Sequence, residues 1–233
     1  MTSKPINRTA IVLAAGSGQR LNLGMNKAWL KISGKELAIW SLIWLERTHL
    51  FNCYVLVVHE NEIEEAKKIV KKSLNFDIDV IKGGSTRHGS ETEALKYLSS
   101  AINSEKCEFV LIQDGARPLA TPDLIKDIVS AAEEHGGALP YLPTAKLISA
   151  TLQLKDLIRV QTPQVFRAKE TLDAYLQAEA DNFIGSDTAM CLEKYVPELK
   201  IKAVFGTSQN LKVTYPDDIL LAESMLNQIL KIN

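Results

Sequence analysis

The stretch from Val12 to Lys27, VLAAGSGQRLNLGMNK, sets two closely spaced glycines, Gly16 and Gly18, and then an arginine and a lysine behind an apolar run. Gly16 and Gly18 let backbone N–H groups turn toward an anion in conformations closed to other residues. Arg20 and Lys27 add two positive charges within the same dozen positions. Bare amides followed by fixed cations suit a chain of phosphates, and cations so placed stabilise charge as a phosphoryl group transfers. A dinucleotide fingerprint would need a third glycine where this chain has Leu21, and a Walker loop would need Gly-Lys-Ser/Thr, which is absent. A second apolar run ends in LIQDGARPL, with Asp114 three residues before Arg117. A carboxylate there can help hold a hydrated Mg2+, which takes few protein ligands beside phosphate oxygens. A guanidinium such as Arg117 can grip a phosphate through two parallel hydrogen bonds.

Such residues need elements to hold them. Short apolar runs rich in β-branched residues lie at 9–15, 53–59, 78–82, 108–114 and 137–142. Runs of this length without polar alternation suit strands covered on both faces. Longer amphipathic stretches at 35–47, 61–72, 87–100 and 121–135 alternate with them. The last opens on Thr121 and Pro122, where the threonine can cap free amides and the proline fits the first turn. Strand–helix alternation predicts βαβ units and a mainly parallel sheet with helices on both faces. After a connecting region (143–161) and the segment TPQVF come helical stretches at 168–180 and 186–195, a strand at 200–206 and a final helix from Pro216. No internal repeat or linker-like run interrupts the chain, so 1–233 is read as one domain. In such sheets ligands bind outside the carboxyl ends of the strands, where the 14–18 loop lies.

Bulk composition narrows the class. The chain has 233 residues, 46% hydrophobic and 24% charged, with a formal net charge of −1. That balance lacks the basic excess of a general nucleic-acid binder. The three cysteines, Cys53, Cys107 and Cys191, are scattered and odd in number. They read as thiols in a reducing cytoplasm rather than a disulfide framework or a metal site. MTSKPINR at the start has no apolar core and reads as no signal peptide, and LAIWSLIWL (37–45) is too short to span a bilayer. The tryptophans of that segment, Trp40 and Trp44, fit either a subunit contact or the core, and core packing is the favoured reading.

The run LAAGSGQR…NK resembles the signature loop of the sugar-alcohol-phosphate cytidylyltransferases, close to A-A-G-x-G-x-R-x-x-x-x-x-P-K-Q. That family includes the 2-C-methyl-D-erythritol 4-phosphate enzymes and their ribitol-5-phosphate relatives. Ala14, Ala15, Gly16, Gly18, Arg20 and Lys27 match, with Ser17 between the glycines, while Asn26 and Ala28 stand at the family's proline and glutamine. IKGGSTRHGSETEAL resembles the family's G-G-x-x-R-x-x-S-V segment, through Gly83, Gly84, Arg87 and Ser90. Ser85 stands where many members are acidic; read from the residues alone, it could cap the helix that follows. LIQDGARPL resembles H-D-A-A-R-P, with Gly115 in place of an alanine; QTPQVF and NLKVTYPDDILLAE resemble T-P-Q-x-F and N-I-K-V-T-x-P-x-D-L-x-x-A-E. The likeness spans nearly the whole chain.

The resemblance implies a Rossmann-like nucleotidyltransferase fold of the GT-A type and a Mg2+-dependent transfer of CMP from CTP to a sugar-alcohol phosphate. It assigns transition-state stabilisation to Arg20 and Lys27 and acceptor positioning to Lys212. Nucleotide contacts fall on Ala14 to Gly18, Gly83, Gly84, Arg87, Ser90, Asp114 and Gly115, with Asp114 also beside the metal. Acceptor contacts fall on Arg117, Thr144, Lys146 and Thr162. It further implies a homodimer, and no nucleic-acid or membrane partner. The acceptor side departs from the pattern. Pro143 takes an aspartate's place, Leu154 takes that of an arginine eight residues before the Thr of T-P-Q, and the arm between Lys146 and Thr162 is short. Methylerythritol phosphate is the first choice of acceptor. Ribitol 5-phosphate or another polyol phosphate is the alternative, and a nucleotide-binding relative without turnover is the alternative of another class.

Overall fold

The structure, a computed structural model, describes residues 7–16, 26–143 and 158–232. Its ten strands and seven α-helices, counted among those residues, follow the expected alternation. The strands are β1 (Arg8–Leu13), β2 (Lys31–Ile32), β3 (Lys35–Glu36), β4 (Cys53–Val58), β5 (Asp79–Lys82), β6 (Phe109–Asp114), β7 (Gly136–Pro143), β8 (Ile158–Val160), β9 (Gln164–Arg167) and β10 (Lys200–Phe205). The helices are α1 (Leu37–Glu46), α2 (Ile63–Ser73), α3 (Arg87–Asn103), α4 (Pro122–His135), α5 (Ala168–Ala180), α6 (Thr188–Tyr195) and α7 (Pro216–Ile232).

The large sheet runs β10-β7-β9-β6-β1-β4-β5, with β8 paired on β7, while β2 and β3 form a small separate hairpin. Strands β6, β1, β4 and β5 pair in parallel, as do β7 and β10. β9 runs antiparallel between β6 and β7. The sheet is therefore mixed and mainly parallel, with β8 reversed where it pairs with β7 and β9 reversed at its heart. That strand is TPQVF, a segment without enough alternation or length to announce itself as a strand. Its side chains nonetheless bury Gln164, Val165 and Phe166 in the middle of the molecule.

Period-two alternation sends successive strand residues to opposite faces. Ala10 and Val12 of β1 join one apolar layer with α1, α2, α4 and α7; Ile11 joins the other with α3, α5 and α6. Helix α1 has no polar stripe and is buried almost all round, as its composition requires. Trp40 and Trp44 stack at 5.9 Å inside it, and their indole N–H groups donate to the carbonyls of Ile32 (2.9 Å) and Pro118 (2.7 Å). They are core residues, which decides between the two readings of that segment. α4 starts on Pro122 after Thr121, but the threonine side chain makes no cap bond. It ends on Gly136, whose φ of 103° only glycine takes easily, so that β7 starts at once. No helix among the described residues is long and apolar enough to cross a membrane.

Candidate active site

From β1 the chain moves to β4 and β5 on one side, then returns to β6 on the other. Strand order thus reverses between β1 and β6, the place where open sheets of this kind bind ligands. Leu13 and Asp114 are register partners there, both at the carboxyl ends of their strands. A cleft of about 460 Å³ opens above them. Ala14, Ala15 and Gly16 line it from the end of β1, Lys27 from the following 3-10 turn, and Arg87 and Ser90 from the first turn of α3. Asp114 and Lys212 complete the set. Residues from four distant parts of the chain meet in one concavity.

Asn26, at the family's proline position, ties the far end of the first loop back to its start. Its side-chain amide donates to the Ala14 carbonyl and to Glu62 Oε2 (2.9 Å), while its oxygen caps the Ala28 N–H (3.1 Å). That cap orients the turn carrying Lys27, whose ammonium donates to the Val213 carbonyl (3.1 Å). At α3 the capping side chain is Thr86, which accepts from Gly89 N at 2.9 Å, and not Ser85. Extended backbone at Thr86 gives it the cap geometry; Ser85 instead lines the cleft. Gly83, Gly84 and Gly115 do not line it. A Cβ on Gly83 would meet Ala15 and Ser90 at 2.8 Å, on Gly84 the Gly89 backbone at 2.6 Å, and on Gly115 the Leu13 carbonyl at 2.9 Å. Their bareness lets the three walls of the cleft close on one another.

The charge pattern is unusual. Asp114 is almost wholly buried, yet three cations surround it: Lys212 at 2.5 Å, Arg87 at 3.3 Å and Arg117 at 3.8 Å. Burial opposes its charge, but Arg87, Lys212 and Arg117 together outweigh that and hold its carboxyl well below the usual carboxylate range. Behind it Arg87 also pairs with Glu91 at 2.7 Å, an ion contact rather than an aligned hydrogen bond. Burial pushes the Glu91 carboxyl up to about 7 against the pull of Arg87, Tyr175 and Thr188. Arg87 is held charged: burial works against it, and Glu91 and Asp114 overcome burial.

Around Arg117 the loop after β6 is fixed from below. The Arg117 carbonyl accepts from Ser41 Oγ (3.3 Å) and Gln113 Nε2 (3.1 Å), and its own guanidinium donates to the Asn210 carbonyl (2.8 Å). Burial lowers the Arg117 pKa, Asp114 opposes that, and Arg159 on β8 adds to the lowering by repulsion. Fully buried Asn210 donates to the Thr162 carbonyl (2.8 Å), and Val213 N donates to the Ala116 carbonyl (2.9 Å). These bonds align the strand-like segment that presents Lys212. Thr162 Oγ1 accepts the Asp114 N–H at 3.0 Å, leaving its hydroxyl proton to donate elsewhere. Arg117 and Thr162 therefore sit behind the carboxylate rather than on the lining.

The structure brings together Ala14, Ala15, Gly16, Lys27, Arg87, Ser90, Asp114 and Lys212. Ser17, Gly18, Arg20, Thr144, Lys146 and Leu154 lie outside the described residues, as does most of the arm. Sequence reasoning missed Thr86, His59 and Thr214 on the lining and Glu91 behind it. Glu91 had a signal, since it follows Arg87 by one helical turn on the face of α3 that also carries Ala94, Leu95 and Leu98. Among the described residues no three acidic, His or Cys side chains gather as metal ligands. Asp114 already carries cations on both oxygens, so a Mg2+ here would have to be carried mainly by phosphate and water rather than by an all-protein cage.

A sequence model of the family described as 2-C-methyl-D-erythritol 4-phosphate cytidylyltransferase matches residues 9–228. Proteins of that name from Bacillus mycoides and Alkaliphilus metalliredigens are 33% and 34% identical. The first alignment covers 94% of this chain and 97% of the relative, the second 94% and 93%. The solved 4-diphosphocytidyl-2C-methyl-D-erythritol synthase of Anaerococcus prevotii superposes with a TM-score of 0.80 at 25% identity, covering 95% of this chain and 96% of that one.

Proposed function

The chain belongs to the 2-C-methyl-D-erythritol 4-phosphate cytidylyltransferase family, and from that premise we propose that it joins CTP to 2-C-methyl-D-erythritol 4-phosphate, giving 4-diphosphocytidyl-2-C-methyl-D-erythritol and pyrophosphate, a step toward isoprenoid precursors. It is a nucleotidyltransferase, and its reaction is a displacement at phosphorus. An acceptor phosphate oxygen attacks the α-phosphorus of CTP in line; the new P–O bond forms as the bond to the β-phosphate oxygen breaks. Because the acceptor is already an anion, no strong general base is needed. Positioning and charge neutralisation carry the rate.

The observation that carries this reading is the convergence of Lys27, Arg87 and Lys212 on one cleft at the switch point, where Arg87 and Lys212 also pair with a single carboxylate. In our reading the amides of Ala14 to Gly18 cradle the phosphates, and Arg20 with Lys27 stabilises the crowded phosphorus. Arg87 and Ser90 meet ribose and base, while the Gly83–Gly84 turn, off the lining, serves by letting α3 pack closely on the loop after β1. Lys212, Thr162, Arg117, Thr144 and Lys146 serve the acceptor; Thr162 does so through its spare proton and Arg117 by holding the Asn210 segment. Gly115 acts through close packing on β1. Asp114 would stand beside Mg2+, and the ion when bound screens the triphosphate charge. We also read the chain as one domain, supported by Leu37 of α1 and Leu226 of α7 sharing one apolar cluster. The resemblance supports a homodimer, and three unbridged cysteines support the cytoplasm.

Pyrophosphate release tests the reading, with each nucleoside triphosphate against methylerythritol, erythritol, ribitol and glycerol phosphates. CTP with methylerythritol phosphate should respond most strongly. A response confined to ribitol phosphate would overturn the substrate and keep the reaction class, and binding of CTP without release would overturn the reaction.

A further inference from the structure

We infer that Glu91 is a positioning residue of the nucleotide site: from the buried side of α3 it fixes the Arg87 guanidinium against Asp114, so that the arginine meets the nucleotide already oriented. The inference rests on the reading of the cleft as a nucleotide site. The family segment matched by Gly83 to Ser90 ends in valine, and Glu91 takes that place here. Valine would suit the surroundings, since Leu95, Leu172 and Leu192 share the apolar layer on that side of the sheet. A carboxylate without water is costly in such a place unless its lone pairs are filled.

They are filled from three helices. Glu91 Oε1 lies 2.7 Å from Arg87 Nη1 and accepts from Thr188 Oγ1 at 3.0 Å; Oε2 accepts from the Tyr175 hydroxyl at 2.6 Å. Tyr175 is itself pinned, stacked on His88 with ring centres 4.5 Å apart. The anchor is therefore rigid. Arg87 Nη1 is buried, its Nε faces Asp114 Oδ1 at 3.3 Å, and the remaining quarter of the side chain is exposed to the cleft. An arginine held at one point could swing; one held by carboxylates on two sides has a single orientation, and less order is lost when ligand binds. Glu91 touches no ligand itself. It acts through Arg87.

The test compares the parent with Glu91→Gln, which keeps the shape and drops the charge. CTP KM should rise roughly tenfold, the scale of a charge-assisted contact, with kcat within about threefold. Affinity for inorganic triphosphate should not fall, because the variant removes a negative charge without disturbing the phosphate loop. An unchanged CTP KM, or equal weakening for CTP and inorganic triphosphate, would overturn the proposal in favour of a purely structural role. Tyr175→Phe removes one anchor and should move CTP KM the same way by less; it decides the matter if Glu91→Gln does not fold. A parent that binds Mg-CTP in calorimetry yet turns over with no acceptor defeats the proposed reaction only. The ratio of CTP affinities then still judges Glu91.

Discussion

Replacing Asp114 by asparagine keeps its shape and removes one negative charge from among three positive ones. Its partners lie at 2.5 Å (Lys212), 3.3 Å (Arg87) and 3.8 Å (Arg117). At an effective dielectric of about 20, each such pair is worth roughly 4–7 kcal/mol before solvation is counted. Stripping water from a carboxylate that is 7% exposed offsets most of that sum. Removing one member of a buried pair typically costs about 3–5 kcal/mol, because the other is left uncompensated. Here Arg87 retains Glu91 and Arg117 retains the Asn210 carbonyl, and Lys212 is 35% exposed and can hydrate. The expected loss therefore falls at or below the bottom of that range, about 2–3 kcal/mol. For a chain of this size that lowers Tm by roughly 5–10 °C. The same substitution should strengthen binding of metal-free inorganic triphosphate by on the order of tenfold, because a unit charge a few ångströms away stops opposing the ligand. Thermal unfolding and calorimetry in EDTA at constant ionic strength read the two effects. A variant with parental Tm and unimproved triphosphate affinity would refute the argument, since the three cations would then not depend on this carboxylate.

Lys27→Ala should lower turnover at least a hundredfold, about the effect of losing one donor to a developing charge; pyrophosphate release within a few-fold of the parent would remove Lys27 from the catalytic set. Gly84→Ala drives a Cβ to 2.6 Å from the Gly89 backbone, so unfolding should come about 1–3 kcal/mol more easily, and an unchanged melting curve would contradict that close approach. For Glu91 the folded pKa of about 7 lies above the ordinary carboxyl value of 4.5, so the folded state binds the extra proton and stability falls as pH rises between them. The full term is on the order of 3 kcal/mol. The titratable groups facing it are Arg87 and Asp114, both charged, and Tyr175 and Cys191, both neutral in this range, and nearby His88, its pKa lowered by burial and Arg87, changes stability in the opposite sense. The difference between parent and Glu91→Gln in Tm against pH isolates the Glu91 contribution; parallel curves from pH 5 to 8 would sink it.

The parallel part of the fold was legible because each strand carries its own evidence of double-sided burial. β1, β4 and β6 are six-residue strands, each built on an unbroken apolar run of at least four residues. β9 was not legible for a physical reason. Its place between β6 and β7 depends on residues more than twenty positions away in sequence, and Gln164 gives it a polar look although the side chain is buried. That Ala14 to Gly16, Lys27, Arg87, Asp114 and Lys212 would share one cleft was legible from the order of the motifs and the family resemblance. What the glycines do was readable only in three dimensions, because the atoms that exclude a Cβ at Gly83 or Gly115 come from β1 and its loop. The same holds for Arg117, whose motif fits a phosphate contact while the fold commits the guanidinium to the Asn210 carbonyl.

Those commitments explain why distant motifs occur together. Cations suited to phosphates repel one another in an empty cleft, and the repulsion grows as the walls exclude water. Asp114 occupies the centre of that arrangement and compensates Lys212, Arg87 and Arg117 at once. On the proposed reading, a polyphosphate arriving between Gly16 and Lys27 would bring its own negative charge and relieve the need for a single carboxylate to serve all three. Lys212 is the member best placed to transfer: it is the most exposed of the three, and it sits on a segment held by backbone bonds rather than by its own charge. The resting salt bridge and the loaded site are then two solutions to one electrostatic requirement. LIQDGARPL and NLKVTYPDD, nearly a hundred residues apart, meet in that one ion cluster through Asp114 and Lys212.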